Sequence, residues 1–242
     1  MHVEIRHDIP AYLADLKTWL AETRDVPLEA MDTFFTARVV LYEEHMARWS
    51  KAYQKMAELI PEDCGRLLDL GCGTGLELDQ ILERFPILRV TGIDLCEPML
   101  AVLRQKHSDK QLILRCEDYF EAKLGTEDYD AAVSFETLHH FRPGKKEELF
   151  RKLFKALKPG GIYLECDYIA CCEEEETLLM DECARKRKLA GIPSEQFVHF
   201  DTPLTLEHET ALLKSSGFQE VEALECIDGA TFIRALKKAS HQ

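Results

Sequence analysis

The segment that most restricts what this chain can become is RLLDLGCGTGLELDQILERF, residues 66–85. An apolar run ends in Asp69. Three glycines spaced two apart, Gly71, Gly73 and Gly75, then open an amphipathic stretch. Glycine admits positive φ and lets a backbone approach a ligand closely. The helix start that follows offers unpaired N–H groups and the positive end of its dipole. A strand, a glycine turn and a helix in this order build a ligand-binding turn at the carboxyl end of a parallel strand. The dinucleotide fingerprint G-x-G-x-x-G needs its third glycine at position 76, where this chain has Leu76.

The remainder divides into two patterns. Helical spacing dominates residues 1–60. Pro10 opens one helix with Tyr12, Leu13, Leu16, Trp19 and Leu20, and a Met- and aromatic-rich stripe runs from Met31 through Tyr42 and Trp49 to Met56. After residue 61, short apolar runs alternate with amphipathic segments. Strands are expected at 66–70, 88–94, 111–116, 129–135, 162–169, 218–226 and 230–237. Helices are expected at 75–85, 97–107, 145–158 and 206–216, and Asp228-Gly229 marks a hairpin. The expectation is an α/β fold with a doubly wound, mostly parallel seven-stranded sheet. Residues 1–60 form its helical cap or lid, and residues 61–242 its core. A helical insertion near 170–200 carries an acidic block, Glu173–Glu176, and a basic block, Arg185–Lys188. That helix either lies solvated on the surface or caps the sheet's active edge.

Three further features sit at fixed places around the glycine turn. Asp94 ends the second strand, 19 residues after Gly75. Glu117-Asp118-Tyr119-Phe120 follows the third. YDAAVSFETLHHF (129–141) leads to LKPGG (157–161). The motif D-x-G-x-G-x-G at 69–75 resembles the first motif of class I S-adenosylmethionine-dependent methyltransferases, and with the others the resemblance covers residues 66–168. It implies a Rossmann-like fold, S-adenosylmethionine as cofactor and S-adenosylhomocysteine as product. It also implies that Gly71, Gly73 and Gly75 face the methionine part, Asp69 helps to hold the ammonium, and Cys72 is a small spacer. Asp94 would bind the ribose, Leu95 and Met99 would flank the adenine, Asp118 would take its amino group, and Tyr119 would stand beside the ring. Phe135 would start the loop under the sulfonium. The tail 201–222 is similar to tails in this superfamily, those of the carboxy-S-adenosylmethionine synthases among them.

The reactive methyl comes with such a cofactor, so the protein mainly aligns an acceptor and excludes water. The acceptor site is therefore less legible, and no catalytic residue is assigned. Tyr42 and His139 are the substrate-facing candidates, with Glu136 and Asp167 as further candidates for a base. The formal net charge of -14 excludes a strongly basic nucleic-acid module and favours a small-molecule acceptor. A tRNA would have to use Arg185–Lys188 or Lys145–Lys146. The nine cysteines include no C-x-x-C and read as free thiols in a reducing cytoplasm, and no paired Cys/His spacing suggests a metal. No apolar run is long enough for a membrane span, and the first residues lack a secretory pattern. The alternatives are a nicotinamide-dependent oxidoreductase, against which the position of Gly75 speaks, and a binding protein that has lost catalysis.

Overall fold

The computed structural model describes residues 3–193 and 195–239. Its centre is a seven-stranded sheet. The strands are β1 (Arg66–Leu70), β2 (Arg89–Asp94), β3 (Gln111–Cys116), β4 (Tyr129–Phe135), β5 (Leu157–Tyr168), β6 (Glu220–Ile227) and β7 (Ala230–Leu236). Their spatial order is β3-β2-β1-β4-β5-β7-β6. The first five run parallel, and β7 pairs antiparallel with both β5 and β6. The winding reverses between β1 and β4, which leaves a crevice beyond their carboxyl ends.

Helices cover both faces. Met56 and Ala57 of α3 (Ser50–Leu59), Leu78 and Ile81 of α4 (Leu76–Arg84) and Leu100 and Leu103 of α5 (Glu97–Lys106) pack with Leu67, Val90 and Val133. On the other face, Leu149, Phe150 and Leu153 of α6 (Pro143–Ala156) and Leu213 of α8 (Leu206–Ser215) pack with Leu68, Leu70 and Tyr163. Successive β1 residues thus serve opposite faces, as strand alternation requires, and both faces are apolar because both are covered.

Two expected boundaries shift. The helix expected to reach residue 158 ends at Ala156, and LKPGG already belongs to β5. Pro159 disfavours a helical Lys158, so the chain turns extended early. The aromatic stripe of 31–56 is one run in sequence but is divided here. Helix α2 (Met31–Met46) and α3 are joined by one 3-10 turn, Ala47–Trp49.

Helix α7 (Glu173–Ala190) is not a solvated helix, because it clasps the N-terminal segment. Glu175 is buried and accepts from Tyr12 of α1 (Ile9–Glu22) and from Tyr168. Lys186 donates to the carbonyls of Thr23 and Val26, both at 2.7 Å. A two-residue ladder pairs Glu29–Ala30 with Val198–His199. The two basic segments considered for tRNA, Arg185–Lys188 and Lys145–Lys146, are partly spoken for. Lys186 and Lys146 are buried, and Arg185 is paired with Glu182 at 2.6 Å.

Lys146 sits 1% exposed between α6 and α8, ion-paired to Glu209, with Glu165 at 3.9 Å. Replacing it by Met leaves Glu209 buried without its cation. The variant is expected to lose about 3–5 kcal/mol of unfolding free energy in a urea titration.

Candidate functional site

The glycine turn is built as backbone geometry demands. Gly71, Gly73 and Gly75 have φ of 70°, 47° and 75°, a region that side chains strain. The Gly71 and Gly75 N–H groups donate to the Ile93 and Cys72 carbonyls, each at 2.8 Å, which locks the turn onto β2. Gly71 and Gly73 line a narrow cleft. Gly75 does not face it. Gly75 caps α4, and a side chain there would run into Leu103 of α5. The third glycine therefore serves helix packing. Cys72 is also turned away, with its sulfur against Gly92, where a Cβ would come within 2.8 Å. Burial and then Asp69 push its thiol well above the usual range, so it stays protonated, in keeping with a spacer.

Three acids surround the turn. Asp94 lines the cleft and accepts the Gly73 N–H at 2.9 Å on one oxygen and the Cys96 N–H at 2.8 Å on the other. Each oxygen keeps a second lone pair for a ligand hydroxyl. Asp69 lies beneath the turn, fully buried, and neither of its oxygens has a hydrogen-bond partner among the described residues. The hydroxyl of Thr74 is likewise unpartnered. Burial and the neighbouring Glu77 raise the Asp69 carboxyl well above the usual range, and burial lifts Glu77 to about 7. Once one of the two carboxyls is protonated they share a hydrogen bond, and neither is in an ion pair among the described residues, Lys106 acting on Glu77 only without contact.

Much of the rest of the cleft is apolar. Leu95, Met99, Tyr119 and Phe135 line it, joined by Met31 and Phe35 of α2 and by Thr137 and Phe141. Asp118 does not line it. Its carboxylate accepts the Phe120 N–H at 2.8 Å and holds the turn after β3. The α2 wall was legible only as an aromatic stripe, whose direction no spacing reveals.

A second cavity of about 1340 Å³ opens behind the cleft. Phe35, Tyr42, Glu136 and His140 line both spaces, so the two meet at these side chains. Glu136 follows β4 with φ 47°, a strained value for a residue with a Cβ. Its Oε1 is buried and unpartnered among the described residues, and burial, against the pull of His139, lifts its carboxyl to about 8. His139 faces the large cavity and hydrogen-bonds Asp167 through Nδ1. Asp167 also accepts the Leu138 and Tyr168 N–H groups, at 2.8 and 2.9 Å. Burial opposes the His139 charge, but Asp167 outweighs it and raises the imidazole well above its usual range. Burial pushes the Tyr42 phenol up, so it stays neutral.

The large cavity also gathers cations in a chain of net negative charge. Arg6, Arg38, Arg48 and Lys51 line it. Arg38 is paired with Glu29 at 2.9 Å. Arg6 lies over Tyr12 and Arg48 over Trp49, at 3.7 and 3.8 Å from the ring centres. Neither of these two arginines nor Lys51 is in an ion pair among the described residues, which leaves charge directed at the cavity. Asp201 is the residue that sequence reasoning overlooked. It reaches the cavity from the segment before α8, some sixty residues from the histidines it faces.

Residues 67–161 match the family model described as a methyltransferase domain. Those residues thus carry a methyltransferase domain. The chain is 25% identical over 227 residues to a carboxy-S-adenosyl-L-methionine synthase of Campylobacter lari, covering 86% of this chain and 95% of that one. It is 28% identical over 135 residues to a malonyl-[acyl-carrier protein] O-methyltransferase of Bacillus cereus, covering 54% of this chain and 49% of the relative. The chain thus spans about half the length of the latter. The solved structure of S-adenosylmethionine-bound CalS10, an amino pentose methyltransferase from Micromonospora echinaspora, shares the fold at a TM-score of 0.61 and 19% identity, over 82% of this chain and 97% of that one. The nicotinamide alternative gives way to the methyltransferase domain.

The residues present fit the cofactor of that family. Asp69 and Glu77 are in no ion pair among the described residues, the turn at Gly71 and Gly73 carries no side chain, and Asp94 retains acceptor capacity beside a largely apolar slot. Asp94→Ala is expected to weaken S-adenosylhomocysteine by about 1.5–3 kcal/mol per lost charged hydrogen bond, read by calorimetric titration. An ammonium beside Asp69 and Glu77 favours their ionised forms. Below about 7, the value of Glu77, binding must therefore expel a proton, and affinity falls as the solution becomes more acidic. Titrations in buffers of different ionisation enthalpy should show this release, and Asp69→Asn should abolish most of it.

Proposed function

We propose that the protein is an S-adenosylmethionine-dependent methyltransferase acting on a small acceptor that carries an anionic group. The observation that carries this reading is the meeting of the narrow cleft and the large cavity at Phe35, Tyr42, Glu136 and His140. When bound, the cofactor supplies an activated methyl group, and in-line transfer asks the protein chiefly for alignment. Phe35 and Tyr42 wall the junction and keep water out. Glu136, whose burial lifts its carboxyl to about 8, takes the proton in its ionised form when the acceptor arrives as a hydroxyl, amine or thiol. Arg48 and Lys51 attract the acceptor's negative group, which reconciles an acidic chain with an anionic substrate.

A second reading rests on the match along nearly the whole length of the Campylobacter lari synthase. There the cofactor itself would leave carrying a carboxyl group, and the same cations would suit a carboxylate donor. Mass spectrometry separates the two readings. The first yields S-adenosylhomocysteine and a methylated acceptor from a pool of anionic metabolites. The second yields a carboxylated cofactor. Neither product in any pool would leave a nucleoside-binding protein without catalysis.

With an acceptor in hand, Glu136→Gln is expected to lower kcat by about 10²–10⁴-fold while S-adenosylhomocysteine affinity holds. Arg48→Ala should raise KM for the acceptor and leave the cofactor KM alone, both read from initial rates.

A further inference from the structure

His139, His140 and Asp201 all line the large cavity, and each offers a ligand atom within 4.8 Å of the others. His139 Nε2 stands 3.5 Å and His140 Nδ1 3.3 Å from Asp201 Oδ1. These separations are long for hydrogen bonds to a carboxylate, which favour about 2.7–2.9 Å. They match another geometry. Nitrogen and oxygen atoms about 2.0–2.1 Å from a tetrahedral centre lie about 3.3–3.4 Å from one another. Both nitrogens stand at such a separation from the same Asp201 oxygen, and all three ligand atoms lie within 4.8 Å of one another.

The surroundings of His139 agree. Its Nδ1 faces Asp167, which is an acceptor, so Nδ1 carries a proton, and Nε2, turned to Asp201, either carries a second proton or gives it up to offer a lone pair to a cation. Asp167 is itself fixed by the Leu138 and Tyr168 N–H groups. A carboxylate behind a histidine, orienting the ring from the far nitrogen, is the usual support of a metal-ligating imidazole. His140 is steadied by the His199 ring, with centroids 4.8 Å apart, and its Nδ1 would give up a long hydrogen bond to the Phe200 carbonyl, 3.4 Å away, on binding a cation. On the cavity side Glu136 Oε1 has no partner among the described residues. Asp201 is 43% exposed in its side chain, which leaves a way in.

We propose that His139, His140 and Asp201 bind one divalent first-row transition metal ion at the wall of the acceptor cavity. Two imidazoles and one carboxylate suit such an ion better than magnesium or calcium, which take oxygen ligands. Three protein ligands leave positions open toward the cavity for an oxygen of the acceptor. That last role rests on the methyl-transfer reading, whereas the metal site does not.

The test uses the full chain, stripped with a chelator and titrated with Co²⁺, then Zn²⁺. S-adenosylhomocysteine-induced thermal stabilisation serves as the check that the nucleoside site is intact. One Co²⁺ per chain is expected, with a visible absorption band that Zn²⁺ abolishes. Asp201→Asn and His140→Ala should each weaken Co²⁺ binding by more than about tenfold, and Asp167→Asn by about 10–100-fold. His208→Ala, a histidine paired with Glu176 outside the cavity, should bind as the parent does. If His140→Ala loses S-adenosylhomocysteine stabilisation, Asp201→Asn decides, because Asp201 lines only the large cavity. A doubly protonated His139 bridging Asp167 and Asp201 would fill the same gap. A protein that is stabilised by S-adenosylhomocysteine but takes up neither ion establishes that bridge and overturns the metal site. Uptake unchanged by Asp201→Asn overturns it equally.

Discussion

The reversal of winding between β1 and β4 is the constraint on which the rest of the molecule depends. Two parallel strands leave the centre of the sheet with their following chain segments diverging to opposite faces, and the gap between those segments must be filled. On one side the gap is closed by a turn without side chains at Gly71 and Gly73. On the other it is closed by the strained Glu136 and the two histidines after it. The narrow cleft and the large cavity are two halves of one topological opening. This is why four side chains belong to both.

Buried acids give this opening its character. Asp69 and Glu77 beneath the turn, Asp94 beside it, and Glu136 and Asp167 across from it crowd five carboxyl groups where water is scarce, and burial holds several of them toward the neutral form. Each is answered differently. Asp94 takes backbone N–H groups, Asp167 takes a histidine, and Asp69 and Glu136 retain oxygens with no partner. An interior group left this way costs stability, and folds keep such groups where a ligand completes them. The Lys146–Glu209–Glu165 cluster on the far face also keeps unpartnered oxygens, on Glu165 and Glu209, but it differs from the others. It contains its own cation and is closed off by α6 and α8.

The elements legible in sequence were those whose chemistry is local. The glycine turn, Asp94 and the apolar walls Met99, Tyr119 and Phe135 lie within one stretch of strand-helix alternation, and period and punctuation place them there. Gly75 and Asp118 fit the family motif by position, yet backbone packing claims Gly75 and a turn N–H claims Asp118. Lys146 looked like its neighbour Lys145, since a helical period distinguishes faces but not whether a face is covered by a later helix. Asp201 was invisible because it joins His139 and His140 only through tertiary folding. The clasp between α1 and α7 was equally hidden, since Lys186 finds carbonyl groups rather than acids.

The wall of the large cavity draws on both ends of the described chain. Ile5, Arg6 and His7 come from ahead of α1, and Asp228 and Gly229 come from the hairpin between β6 and β7. Neither segment touches the narrow cleft. Selectivity for the second substrate can therefore drift through changes at the chain's extremities, while the motif-bearing middle is left undisturbed. Relatives that agree closely over residues 67–161 need not share a substrate.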